Sequence, residues 1–411
     1  MDKNTVLGFI LIGIVLVIFT WINRPSPEQL EAQRHMQDSI AKVELTKQLE
    51  AQKVEKKSAI PSDSLLAASD SDQVAKLQNT YGVFAPAMTG NDSTIILENE
   101  VIKICLSNKG GRIESVSLKK YDDFRGNPVT LFDKDNSTFD FTLVTAENRV
   151  INTSDLYFTP LKSADGKSLT MRLNAGENSY LDFIYTLNPG DYMVKFSVKG
   201  TGLNGVLSPG TTSFDLLWQA KAPQQEKGRK FEDRYATVYY KFVADNVENL
   251  NETRNSSKKL TNRLNWIAYK DMYFSSVLIT DGEGFESTTV DLKTLPDDTT
   301  YMKEYKTTTS VPFDLKGAKA TDMRFYFGPN LFSLLQSYDK GVVVDKRLDL
   351  EKIIPLGWGL FRWINQYFVI PLFNFLGGFI HSYGILILLL TLIVKTILFP
   401  LTYKSYLSSA K

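Results

Sequence analysis

The chain has 411 residues, with 47 Lys+Arg against 46 Asp+Glu, two histidines and one cysteine. A net charge of +1 offers no basic surface of the kind nucleic acid requires, and the lone Cys105 excludes an intramolecular disulfide. The apolar residues gather near the two ends, a membrane pattern laid over a soluble middle.

Five residues precede the first apolar stretch, VLGFILIGIVLVIFTWI at 6–22, which contains no charge. At ~1.5 Å per residue its 17 positions reach roughly 26 Å, close to the hydrocarbon thickness of a bilayer. A cleaved signal peptide would have a shorter apolar core and a small-x-small site after it. Here Trp21 and Ile22 close the stretch and Asn23, Arg24 and Pro25 follow, so an uncleaved transmembrane anchor is expected. Residues 23–80 form a tether. Its first part, 24–57, is rich in Glu, Gln, Lys and Ala, and a Ser/Asp/Ala linker follows at 58–73.

A packed domain is expected over 81–345, where the pattern has period two. YLDFIYTL places Leu181, Phe183, Tyr185 and Leu187 on one face, Asn188–Asp191 makes a turn, and Tyr192, Val194, Phe196 and Val198 line one face of the returning strand. VIKICL and IESVSLKKY flank a turn whose Gly110 and Gly111 are free to adopt positive φ. No long amphipathic helix interrupts this region, which predicts a large antiparallel β-sandwich.

The texture then changes. In 357–376, GWGLFRWINQYFVIPLFNFL, Arg362, Asn365 and Gln366 share one side of a helix, and Trp358, Phe361, Trp363, Ile364, Tyr367 and Phe368 fill much of the rest. Such a helix suits the membrane interface; the alternative is a core helix packed on the β-domain. Pro371 is expected to break or kink it.

A second spanning helix follows at 384–402, with its apolar core at 385–401, and Lys395 stands inside it. A lysine at mid-span costs about 2.5–3.5 kcal/mol on insertion scales. The 13 Leu, Ile, Val and Phe residues of the core offset that by roughly 0.3–0.6 kcal/mol each when central, so the helix still inserts. Two readings of Lys395 stand side by side. Its stem reaches towards the cytoplasmic end ~9 Å away, or the ammonium faces a water-accessible cavity. Thr391 and Thr402 fall on the same stripe at i−4 and i+7 of Lys395. Lys3, Lys404 and Lys411 place both ends in the cytoplasm, with Arg24 opposed, and residues 23–383 outside it; 403–411 begins a cytoplasmic segment.

Enzyme chemistry finds little support. His35 lies in the tether and His381 at the membrane edge, so 81–345 has neither a Ser-His-Asp nor a Cys-His arrangement, and no His/Cys zinc set. GTGLNG at 200–205 matches GxGxxG but is followed by VLSPGTTSF rather than a helix, as a turn between strands would be. No catalytic residue, cofactor site or metal site is assigned. Paired carboxylates of the glycosidase kind stay possible without any pair being marked.

LSNKGGRIESVSLKKY, NWIAYKDMYFSSVLI and LLTLIVKTILFPLTYKSYLSSAK, in that order between an anchor, a tether and an aromatic helix, resemble the YidC family of membrane-protein insertases in its Gram-negative form. The likeness runs along essentially the whole chain. Pro400, Leu401 and Thr402 match the family pattern, and Lys395 stands where most members carry arginine. The resemblance implies a sandwich of the sugar-mutarotase type flanked by transmembrane helices in the bacterial inner membrane. It implies no nucleotide, and a groove in which Lys395, Thr391 and Thr402 meet a hydrophilic segment of a client. Implied partners are nascent integral membrane proteins, the Sec translocon and the lipid bilayer. Lysine supplies the charge without the bidentate fork of arginine. Family members have further spans after this point, so the chain reads as a piece of a longer protein. The alternative function is a membrane-anchored periplasmic carbohydrate-binding protein or enzyme.

Overall fold

The computed structural model describes residues 70–409. The expected anchor at 6–22, and the tether up to residue 69, lie outside the described residues.

Helix α1 (Asp70–Tyr81) leads through a 3-10 segment into the β-domain, where Phe84 is the first large side chain to be fully buried. Four short strands follow: β1 (Thr94–Glu98), β2 (Ile102–Ser107), β3 (Ile113–Asp122) and β4 (Pro128–Phe132). They pair antiparallel in sequence order as one small sheet. The turn between β2 and β3 explains its two glycines. Gly110 and Gly111 have φ of 81° and 61°. A Cβ on Gly111 would also lie 2.8 Å from the Phe158 ring.

The remaining strands are β5 (Ser137–Val144), β6 (Val150–Asn152), β7 (Thr159–Lys162), β8 (Ser168–Asn174), β9 (Tyr180–Leu187), β10 (Met193–Thr201) and β11 (Ser213–Pro223). A one-turn helix, α2 (Arg229–Asp233), precedes β12 (Thr237–Phe242), β13 (Val247–Asn249), β14 (Ser256–Leu260), β15 (Leu264–Lys270), β16 (Phe274–Thr280), β17 (Glu286–Thr294), β18 (Tyr301–Pro312) and β19 (Thr321–Pro329). They form a nine-stranded sheet, β13-β12-β15-β16-β19-β10-β9-β8-β7, and a six-stranded sheet, β14-β17-β18-β11-β5-β6. All the ladder pairs are antiparallel, as the period-two pattern predicts.

Aromatic rings from the two large sheets interdigitate between them. Phe196 of β10 lies 5.9 Å from Phe139 and 6.5 Å from Phe141 of β5, and stacks on Tyr185 of β9 at 4.8 Å. Trp218 of β11 stacks on Tyr269 of β15 at 3.9 Å. The small sheet joins the same core through Phe132, 5.7 Å from Phe327. The β9–β10 hairpin has the register read from the sequence: Leu187 pairs with Val194 across Asn188–Asp191, and Gly190 has φ 66°. Leu181, Phe183, Tyr185, Tyr192, Val194, Phe196 and Val198 are all buried, while Lys195 and Lys199 are exposed. The glycine-rich 200–205 is a turn between β10 and β11 with no helix after it.

Strands β15 and β16 depart from the one-sided pattern, because nearly every residue in them is buried. Their second face is covered by chain that follows the sandwich. The Trp266 indole N–H donates to the Leu348 carbonyl at 2.7 Å, and Leu348, Leu350 and Ile353 are buried there. Helix α3 (Phe332–Ser337) lies between β19 and that cover.

The aromatic arm runs α4 (Gly359–Ile364), a π turn over Asn365–Val369, and α5 (Ile370–Gly377) without a break. Of the expected break or kink at Pro371, the break does not occur. The π turn lets the Ile370 N–H reach back to Asn365 O, and Pro371 falls in the first turn of α5, where a missing N–H costs little. Helix α6 (Tyr383–Ser409) completes the described chain.

Candidate functional site

Helix α6 is 27 residues long, and its Tyr383–Pro400 stretch is long and apolar enough to cross a membrane. It packs against α5 at an elbow where Leu386 is buried, with Cδ1 3.5 Å from where a Cβ on Gly377 would lie. Beyond that elbow its side chains point outward: Leu388, Leu392, Ile397, Leu398 and Phe399 are all exposed. Exposure of that many large apolar groups in water would cost on the order of 1.5–3 kcal/mol apiece, so the helix demands a lipid or protein surround.

Within this wall, Thr391 and Lys395 lie one turn apart, both exposed. The Thr391 hydroxyl donates to Ile387 O at 2.8 Å, and the Thr396 hydroxyl to Leu392 O at 2.8 Å. These back-bonds satisfy the hydroxyl hydrogens and leave their oxygens as acceptors. No acidic side chain among the described residues pairs with Lys395. Pro400 has no N–H to donate to the Thr396 carbonyl one turn back. Thr402 lies in the same helix, about 16 Å along the axis from Thr391. The sequence stripe thus places a cation and hydroxyl oxygens along a helix that is otherwise hydrocarbon.

The arm before α6 directs its polar groups back towards the β-domain. Asn365 Nδ2 donates to Leu356 O at 3.0 Å, and Asn374 Nδ2 to Ser333 Oγ at 3.0 Å. Trp358, Phe361, Trp363, Tyr367 and Phe375 are exposed instead. Asn374, beyond Pro371 and off the stripe of Arg362, Asn365 and Gln366, fastens α5 to α3, a role that depends on a residue 41 positions away.

Two charged clusters escaped the sequence. Asp339, Asp349 and Glu351 bring carboxylate oxygens within 4.8 Å of one another. Asp339 accepts the Leu348 and Asp349 N–H groups, and Lys352 lies 3.1 Å from Asp349. The trio thus folds a turn with its own cation beside it. The second cluster fixes α2. Glu232 accepts the Gln225 and Glu226 N–H groups at 2.9 and 3.1 Å. The Asp271 carboxyl hydrogen-bonds to Glu232, and burial together with that neighbour pushes it well above the usual carboxylate range. Burial raises Glu232 as well, so the two carboxyls share a proton between them. Lys303, with no exposed surface, lies 3.0 Å from Asp233 and donates to Glu252 O at 2.8 Å. Lys270 donates to Tyr235 O at 2.7 Å, and burial pushes its ammonium down to about 8. Only the identities of Lys270 and Asp271, charges in a strand-like run, hinted at this in the sequence.

A family model, that of the YidC periplasmic domain, matches residues 94–371. The membrane protein insertase YidC of Parabacteroides distasonis is 62% identical over 411 residues, covering 100% of this chain and 65% of that protein. Its namesake in Porphyromonas gingivalis is 40% identical over 418 residues, covering 100% and 64%. The chain thus spans a little under two thirds of the length of these curated relatives. Among solved structures, YidC from Thermotoga maritima aligns over 77% of this chain and 71% of that one, at 14% identity and a TM-score of 0.33. A galactose mutarotase-like protein from Lactobacillus casei aligns over 57% and 100%, at 12% identity and a TM-score of 0.37.

Proposed function

The chain belongs to the YidC family, and on that premise we propose that it works as a membrane-protein insertase and chaperone in the bacterial inner membrane. The observation that carries this reading is Lys395, an exposed cation with no acidic partner among the described residues, on a helix that must otherwise sit in hydrocarbon. In this reading α6 spans the bilayer with Tyr383 at the periplasmic end, and 81–345 is the periplasmic sandwich. The arm 357–376 lies in the interface with its aromatics among the lipid headgroups. Thr391, Lys395 and Thr402 line a hydrated groove. A polar client segment halfway into the membrane finds there a fixed cation for its carboxylates and carbonyls. The cost of stripping water from those groups falls accordingly. Nascent membrane proteins are the clients, delivered directly or from the Sec translocon. The sandwich acts as a non-catalytic scaffold, consistent with its lack of histidine.

The test uses a strain depleted of its own family member and complemented with this gene. Lys395→Ala removes a charge-assisted contact worth about 1.5–3 kcal/mol, so insertion of a charged client should slow by roughly tenfold or more, whereas Lys395→Arg should sustain it. Normal insertion by both Lys395→Ala and Lys395→Leu would show that the charge is not the working part.

A further inference from the structure

Four large apolar side chains are exposed on four separate connections of the sandwich: Phe124, Phe231, Tyr273 and Leu331. A chain of contacts brings these connections together. The Phe124 N–H donates to Gln225 O at 2.9 Å, and Gln225 N–H to Glu232, next to Phe231. Glu232 meets Asp271, two residues before Tyr273. The Asn330 N–H donates to Tyr273 O at 2.6 Å, and Leu331 follows. This neighbourhood adjoins the end of α6. Tyr121 lies 5.4 Å from Phe274, and Asn374 of the arm that leads into α6 holds Ser333, two residues after Leu331.

The same surface carries exposed cations. Lys227, Lys230 and Arg234 are exposed, and none pairs with an acid among the described residues. Three of the nearby acids are already engaged, while Asp122 and Glu226 stand beside the cations. Glu232 holds two backbone N–H groups, Asp233 holds Lys303, and Asp123 accepts the Arg125 and Asn127 N–H groups. The Arg125 guanidinium lies 4.7 Å from the Phe124 ring, a cation seated on an exposed aromatic.

Scattered single apolar residues mean nothing, but aromatics from several loops converging beside a spanning helix, with unpaired cations among them, match what a lipid interface selects. We propose that the loops bearing Phe124, Phe231, Tyr273 and Leu331, with Lys227, Lys230 and Arg234, rest in the anionic headgroup layer of the leaflet from which α6 emerges. The bilayer is chosen over a protein partner because the surface continues directly into the helix that spans it in the proposed reading. The sandwich is then held at a fixed height and tilt over the membrane, rather than swinging on the arm alone. This inference rests on the reading that α6 spans.

The test is site-directed spin labelling of the full chain in liposomes. In a Cys105→Ser background, single labels are placed by Phe231→Cys and Tyr273→Cys, with Ile387→Cys as the span control and Val150→Cys, exposed on the far edge of the six-stranded sheet, as the water control. Relaxation by oxygen, which concentrates in lipid, is compared with relaxation by a water-soluble nickel chelate. With phosphatidylglycerol present, the labels at 231 and 273 should report the interface. In phosphatidylcholine alone they should shift towards water. Each of Lys227→Gln, Lys230→Gln and Arg234→Gln should lower the docked-to-undocked ratio by about fivefold. Labels at 231 and 273 as wet as the one at 150, while 387 is in lipid, would overturn the inference. Labels shielded from both relaxants would overturn it too, in favour of a protein cover. A wet label at 387 would instead remove the spanning reading, and this inference with it.

Discussion

Replacing Asp271 by Asn tests the protonated carboxyl pair directly. The substitution keeps an oxygen for the Met272 N–H, held at 2.7 Å, and offers Glu232 an N–H in place of the acid proton. The sign follows from where the proton is held. Burial and Glu232 raise the folded-state pKa of Asp271 well above its unfolded value, so the folded chain binds the extra proton throughout the window between them. Stability from this group is complete below the unfolded value and is lost as pH rises, at about 1.4 kcal/mol per pH unit. Asn titrates nowhere in that window. For each pH unit of that window, from about pH 5 upward, the variant should therefore gain about 1.4 kcal/mol relative to the parent. For a domain of this size each such unit corresponds to a relative rise in Tm of roughly 3–6 °C. Lys270, pushed down to about 8, has the opposite sign, its contribution rising with pH above that value, so the comparison stays below it. The assay is thermal unfolding of the full chain in detergent, followed by near-UV circular dichroism of the aromatic core. Two Tm curves offset by a constant over this range would refute the reasoning, since Asp271 would then be ionising as an ordinary surface acid.

Phe196→Ala empties the centre of the ring cluster between the large sheets and should cost about 3–5 kcal/mol, read as a lower Tm or urea midpoint. Trp266→Phe keeps the ring but strands the buried Leu348 carbonyl, at about 1–3 kcal/mol. Its distinguishing readout is faster hydrogen exchange over 339–353 ahead of the strands.

The strand register, the β9–β10 hairpin, the glycine turns and the apolar helix with Lys395 were legible in the sequence because each is dictated locally. Side chains alternate faces along a strand, glycine takes the positive φ of Gly111 at least cost, and a run such as 385–401 has no stable place in water. Other features had no local signature. Strand β19 lies between β16 and β10, although it is separated from β10 by more than a hundred residues of chain. Both faces of β15 and β16 are buried because a later segment folds over them, which a period-two reading treats as one face in water. Pro371 looked like a break, but the π turn before it absorbs the missing hydrogen bond. The pairings Asp271 with Glu232, Lys303 with Asp233 and Asn374 with Ser333 join charges and amides that each read as ordinary surface residues. Tertiary structure decided them because the free energy of a buried polar group depends on its partner, and the partner is brought into reach only when the chain closes upon itself.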